Sequence, residues 1–295
     1  MYKLRDWIDI NKLDILFLME NPNAIELIKK IGYNKEDLLY ISSNPNALDI
    51  IENNLDKIDW RYFSSNSSPL AIKIIEKNLD KISWYYLSKN TNAISILKNN
   101  LNKIDWYSLS KNPNAIELLK EFPDKINYDK LCENHSKEAI KILKKNPEKI
   151  NWKLLSSNPY AIDILKYNLD KIDWNMFSAN PYAIDILKSN LDKINWINLS
   201  GNPNAIDIIE KNLDKINWRL LSSNPNAINI LKLNLDKINY QLLSTNPAIF
   251  SYDYEKMRKN NEIFEEELIK EVMKPSRLMK MIEKYGEDYL DILYE

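Results

Sequence analysis

Asn202-Pro203-Asn204-Ala205-Ile206-Asp207-Ile208-Ile209-Glu210-Lys211-Asn212-Leu213-Asp214-Lys215-Ile216-Asn217-Trp218-Arg219-Leu220-Leu221-Ser222-Ser223 is one copy of a phrase that recurs along most of the chain. Asn202 is a good N-cap, and Pro203 falls at the first helical position, where its missing N–H costs nothing. Ala205, Ile206, Ile208 and Ile209 form an apolar stripe at helical spacing. Asn212 can end the helix in the left-handed conformation, with Leu213 making the accompanying hydrophobic contact. This predicts a helix, B, of about nine residues. After Asp214-Lys215-Ile216, Asn217 caps a shorter helix, A, over Trp218 to Ser223.

The phrase repeats in register. An aromatic stands at Trp60, Trp84, Trp106, Tyr128, Trp152, Trp174, Trp196, Trp218 and Tyr240, in steps of 22 or 24 residues. Six residues after each comes Asn, from Asn66 to Asn246, and two further units lacking the aromatic precede them at Asn21 and Asn44. The residue before the aromatic is always Asp, Ser or Asn, a helix-starting signal. No useful stretch alternates with period two, so strands are not expected. Both helices are shorter than the ~12–15 residues at which an isolated helix becomes marginal, so each unit must bury its faces against its neighbours. The fold class is therefore all-α: an elongated α-solenoid of 22–24-residue two-helix repeats with helical caps. Residues 1–37 form an N-terminal cap with a degenerate first repeat, 38–250 the array, and 251–295 a C-terminal cap. In that cap, helices over Asp253 to Met273 and Ser276 to Tyr285 are separated by Pro275. The large aromatics, Trp174 and Trp196 among them, are expected to be buried between units. Ser at +4 from the aromatic lets helices approach closely, and Cys132 reads as a replacement for it.

Composition closes off several chemistries. Among 295 residues there are three glycines, Gly32, Gly201 and Gly286, too few and too scattered for a phosphate-cradling loop. A single Cys132 and a single His135 leave no disulfide framework and no thiolate cluster. His135 lies in a two-residue insertion and reads as an exposed loop residue. The 42 acidic residues recur at solvent-facing positions, and no unit isolates a pair in unlike environments, as a carboxylate hydrolase needs. No catalytic, cofactor or metal site is expected. No run of 18 apolar residues exists and Met1 to Asp6 carries no apolar leader, so the expectation is a cytoplasmic protein without a membrane span.

The segment 216–228, Ile-Asn-Trp-Arg-Leu-Leu-Ser-Ser-Asn-Pro-Asn-Ala-Ile, resembles the short-repeat proteins of giant, mimivirus-like viruses of amoebae. The tail from Glu266 to Leu278 resembles one found on many such proteins, although Lys274 stands where a His is frequent. A weaker similarity is to leucine-rich variant repeats, which also start on Asn-Pro and use two short helices. The resemblance implies an α-solenoid and no particular activity. A viral protein of this kind would act in assembly or in contact with the host, in the host cytoplasm or the virion.

The positions that vary between units carry the information about binding. At +1 and +2 from the aromatic, the early units place Tyr62, Tyr85, Tyr86 and Tyr107, beside Lys89 and Lys111 on the same short helices. Tyr is enriched at binding hot spots, so residues 60–112 are the expected protein-contact surface. The expected function is a non-enzymatic scaffold for a protein partner, without a small-molecule substrate. The alternative is a nucleic-acid array built on the lysine three residues before each aromatic, such as Lys171, Lys193 and Lys215. An acidic residue usually precedes that lysine, and the net charge is −1, so the two ladders largely cancel beyond a Debye length. The expected outcome of a filter-binding titration is no tight binding of duplex or single-stranded nucleic acid at physiological salt. Sub-micromolar binding with a steep salt slope, lost when Lys171, Lys193 and Lys215 become Ala, would promote the alternative.

Overall fold

The structure, a computed structural model, describes residues 2–285. Leu4–Phe250 form one compact unit, and a second takes residues from the two chain ends, up to Lys3 and from Ser251 onward. Described residues are mostly helical, and helices adjacent in sequence are adjacent in space. The exceptions are two three-residue strands, Tyr2–Leu4 and Phe250–Tyr252, which pair with each other. The sequence gives no period-two signal for them, because three residues are too few to show one.

Helix A forms as the capping pattern demands. Asn217 Oδ1 accepts the Leu220 N–H at 2.9 Å, and Asp173 caps Met176 in the same way. Helix B differs from expectation at both ends. Asn202 Oδ1 accepts the N–H of Asn204 at 3.0 Å, and Ala205 N–H bonds back to the Asn202 carbonyl at 3.2 Å. That tight turn occupies the Asn-Pro-Asn-Ala segment, so the α-helix starts only at Ile206 and spans Ile206–Glu210. Nor does Asn212 adopt a left-handed conformation; among the described residues only Gly32 has positive φ. Instead the Asn212 side chain donates to the Ile208 carbonyl at 2.8 Å, satisfying an orphan acceptor of the last turn. Asn54, Asn100, Asn168, Asn190 and Asn234 do the same.

The core consists of the +3 residue of helix A (Phe63, Leu87, Leu109, Leu131, Leu155, Phe177, Leu199, Leu221, Leu243), the Ala of the turn, and Leu or Ile from helix B. The expectation that Trp174 and Trp196 are buried is corrected, since both are only half-buried. The repeat aromatics cover the flank of the core, and in six of them, Trp60, Tyr128, Trp152, Trp174, Trp196 and Trp218, the outer face takes the lysine of the following unit, whereas Trp106 packs against Phe122. Lys193 Nζ lies 4.7 Å from the Trp174 ring centre, and Lys215, Lys237 and Lys171 stand likewise over Trp196, Trp218 and Trp152. The lysine ladder is thus part of the contact between units, with each cation–π pair worth ~0.5–1 kcal/mol at an exposed site.

Two polar contacts, the Asn amide and the Ser hydroxyl, recur at nearly every joint between units, and a second Asn adds a third wherever the turn reads Asn-x-Asn. Asn202 Nδ2 donates to the carbonyls of Ser178 (3.0 Å) and Asn180 (2.9 Å). Asn204 Nδ2 donates to the Pro181 carbonyl at 2.9 Å. Ser178 Oγ donates to the Trp174 carbonyl of its own helix at 2.7 Å and accepts the N–H of Asn195 at 2.9 Å. Ser at +4 is therefore a connector as well as a small residue. Cys132 occupies the same place with the backbone N–H of Asn151 on its sulfur, and burial pushes its thiol pKa up.

The same contacts join the first unit to the last. Asn21 Nδ2 donates to the carbonyls of Ser244 (2.9 Å) and Asn246 (3.0 Å), and Asn23 Nδ2 to that of Pro247 (3.1 Å). Asp14 N–H donates to Ser244 Oγ at 2.8 Å, and Lys12 Nζ stands 5.2 Å from the Tyr240 ring. The Ile15–Met19 helix lies against the Tyr240–Thr245 helix as each helix A lies against its neighbour. The run of asparagine bridges through Asn21, Asn44, Asn66 and on to Asn246 therefore has no free end within Leu4–Phe250. This corrects the expectation of an elongated array. Residues 1–37 do hold a degenerate unit, but its helix A meets the last unit instead of closing off an open end.

The second compact unit holds helices Tyr254–Val272 and Pro275–Tyr285, with Asp253 capping the first through Lys256 N–H. Both agree with the expected spans; residues 286–295 of the C-terminal cap lie outside the described residues.

Closure makes a quantitative prediction. Asn21→Ala should destabilise the protein about as much as Asn180→Ala. Each loses two buried bridges and strands two carbonyls, costing ~3 kcal/mol. Chemical denaturation measures both. A loss below ~1 kcal/mol for Asn21→Ala, with the full loss for Asn180→Ala, would mean that the array is open at that joint.

Candidate functional site

Helix A supplies the exposed variable positions. Its +1 residues, from Arg61 to Gln241, are exposed in all nine aromatic-bearing units. The +5 residue follows one turn later on the same edge. In most of these units it is small and uncharged: Ser65, Ser157, Ala179, Gly201, Ser223 and Thr245. In three consecutive units it is Lys89, Lys111 and Glu133, on the helices Trp84–Lys89 and Trp106–Lys111 and just after Tyr128–Cys132.

Between those helices lies a cavity of about 430 Å³. Tyr85, Lys89, Tyr107, Ser108, Lys111, Lys130, Glu133 and His135 line it, with Asn112 and Pro113. Its origin is a side-chain substitution. At +2 the other units carry Tyr62, Tyr86, Lys130, Leu154, Met176, Asn198, Leu220 and Leu242, all larger; here Ser108 leaves that volume unfilled.

Four of the expected contact residues, Tyr85, Lys89, Tyr107 and Lys111, come together in this cavity. Tyr62 and Tyr86 do not line it but extend it as a cluster. The Tyr62 and Tyr86 rings are 5.5 Å apart, and Tyr86 meets Tyr85 edge to face at 5.2 Å. Arg61 chelates Asp59 at 2.6 Å beside them, and that hydrogen bond holds the Asp59 carboxyl below its ordinary pKa. Ser108, Lys130, Glu133 and His135 were not anticipated as site residues. The signal for them was present in the loss of repetition at +2 and +5. Reading it required knowing that three successive helices share one wall.

The electrostatics are asymmetric. Lys89 Nζ lies 3.8 Å from the Tyr85 ring centre and, among the described residues, faces no carboxylate. Glu133 is shared by Lys111 (2.8 Å) and Lys130 (2.5 Å). Burial pushes the Glu133 pKa upward, but the two lysine hydrogen bonds outweigh it and hold the carboxyl below its usual range. Its hydrogen bond to Glu133 raises the Lys130 pKa in turn, and Lys130 also lies over the Tyr107 ring at 5.1 Å. Burial, seconded by the Lys111 charge, lowers the His135 pKa, with Glu133 opposing. Three ammonium groups against one carboxylate leave the lining with a net charge of +2 when His135 is neutral.

Two buried polar atoms in this region have no hydrogen-bond partner: Ser108 Oγ and Asn134 Oδ1. In neighbouring units the Asn oxygen accepts the N–H two residues on, as Asn112 does from Asn114. In the inserted unit, Ser136 N–H bonds to the Asn134 backbone carbonyl instead, at 3.0 Å. Among the described residues no three His, Cys, Asp or Glu side chains converge as a metal site would require, and no helix is long and apolar enough to cross a membrane. No protein family, curated protein or solved structure matches the chain.

His135 is the only histidine, so its ring can be followed by NMR without assignment ambiguity. It should titrate below the ordinary value of 6.5. Lys111→Gln should move the midpoint upward, because an ammonium group that disfavours imidazolium is removed. Because the folded pKa is lowered, the folded state takes up fewer protons than the unfolded chain. His135 therefore costs stability as pH falls below 6.5 and is neutral to stability above it. A midpoint at the ordinary value would mean that burial and Lys111 do not act on the ring, and one above it that Glu133 dominates.

Proposed function

We propose that the chain is a non-enzymatic repeat scaffold, an α-solenoid of 22–24-residue two-helix units closed on itself, that holds a protein partner. The contact surface is residues 60–112, centred on Tyr62, Tyr85, Tyr86 and Tyr107 with Lys89 and Lys111. The observation that carries this reading is the contact among partly exposed tyrosine rings there: Tyr62 and Tyr85, 38% and 44% exposed, both pack against Tyr86, and Tyr107 of the next unit is 51% exposed. Tyr offers a large contact area at low entropy cost, and contiguous rings flanked by lysines are suited to an acidic or aromatic epitope. The involvement of the lysine ladder in contacts between units favours this reading over a phosphate-tracking array. The resemblance to giant-virus repeat proteins fits an assembly or host-interaction component acting in the host cytoplasm or in the virion.

The test is to change Tyr85, Tyr86 and Tyr107 together to Ser and confirm folding by circular dichroism. Affinity for the partner recovered with the wild-type chain should fall at least ~30-fold, the loss of one hot spot of ~2 kcal/mol. Undiminished binding by a folded variant would remove this surface and direct attention to 254–285.

A further inference from the structure

We propose that the cavity walled by helices Trp84–Lys89, Trp106–Lys111 and Tyr128–Cys132 binds a phosphate monoester carried on a planar ring. This goes beyond the scaffold reading and does not rest on it, because a folded chain with no protein partner would still bind such a ligand.

Size comes first. A cavity of about 430 Å³ lies in the range of small-ligand sites and exceeds the need of an inorganic ion. Its walls combine tyrosine rings with a few convergent polar groups, the composition such sites use to fix orientation. Charge is the second argument. The net +2 of the lining matches the dianion that a phosphate monoester is at pH 7, whose second pKa is about 6. Among the described residues Lys89 pairs with no carboxylate, Lys111 spends one donor on Glu133 and keeps two, and Lys130 bonds Glu133 and Tyr107 and keeps one. Glu133 fixes those two ammonium groups in place without cancelling them.

The third argument is Ser108. Ser108 lines the cavity, and its buried hydroxyl has no hydrogen-bond partner, although buried hydroxyls almost always find one within reach of a small side-chain rotation. A ligand oxygen in the cavity supplies that partner. The same serine leaves the space that larger side chains fill in other units, so one substitution creates both the volume and the donor. The rings of Tyr85 and Tyr107 give the planar body of the ligand its apolar contact.

The ester could come as a free small molecule or as a phosphorylated tyrosine of another chain, and titration calorimetry on the full chain separates the two. Phenyl phosphate should bind at one site. Inorganic phosphate and phenol, each offering half of the ligand, should bind at least about tenfold more weakly. Binding should weaken as salt rises. A phosphotyrosine peptide binding at least as tightly as phenyl phosphate assigns the source to a protein, and much weaker peptide binding assigns it to a free ester. Ser108→Leu installs the residue found at Leu154, Leu220 and Leu242, and should abolish binding with an unchanged circular dichroism spectrum. Lys89→Gln, at an exposed position, should weaken binding about tenfold, the loss of one charged hydrogen bond. No binding by the wild type, or binding unchanged in folded Ser108→Leu, overturns the proposal. If Ser108→Leu does not fold, unchanged binding in Lys89→Gln overturns it equally.

Discussion

A buried asparagine amide that donates two hydrogen bonds backward into the preceding unit is the interaction on which the rest of this structure depends. Helices A and B are four to nine residues long within Leu4–Phe250 and could not persist singly. Each ends with carbonyls that have no partner inside the helix. Asn180, Asn202 and Asn224 meet the carbonyls of the unit before them while their own oxygens, or the turn that follows, start the next helix. One side chain thus satisfies the end of one helix, begins another and sets the spacing between units. Buried and fully bonded, such a network specifies a single arrangement, because any slip would leave amides unpaired in a low dielectric.

A repeat held this tightly can vary only where side chains leave the network. The +1, +2 and +5 positions of helix A are such places, and the chain concentrates its departures in three neighbouring units. Lys89, Lys111 and Glu133 replace small residues at +5, Tyr85 and Tyr107 replace mostly polar or charged ones at +1, and Ser108 opens the space between them. The scaffold absorbs this because Leu87, Leu109 and Leu131, one residue away, keep the core unchanged. Asn112 and Asn134 likewise keep both backward bridges. The single polar defect of the network, the unpaired Asn134 Oδ1, falls at the edge of the same region.

The lysines before each aromatic show how a charge pattern can mislead when read along the chain alone. In sequence they form a ladder beside an acidic ladder. In space most of them reach over the aromatic of the preceding unit, and Trp152, Trp174, Trp196 and Trp218 each carry that cation on the outer face. The period shows that the lysine recurs. It does not show that its partner lies one period back.

Local chemistry was legible in the sequence because its determinants lie within one 22-residue unit. The caps at Asn217 and Asp173, the break at Pro275, the apolar stripe of helix B and the exposed +1 edge all follow from neighbours in the chain. Helix B came out shorter, and Asn212 ended it through its side chain, because two conformations of Asn compete over energies too small for composition to rank. Tertiary structure alone decided that Lys130, Glu133 and His135 share a wall with Tyr85, and that Asn21 bonds to Ser244 and Asn246, more than 220 residues away. Whether an array closes depends on the small rotation between successive units summed over all of them. No single unit encodes that sum, so the ends meet only in three dimensions.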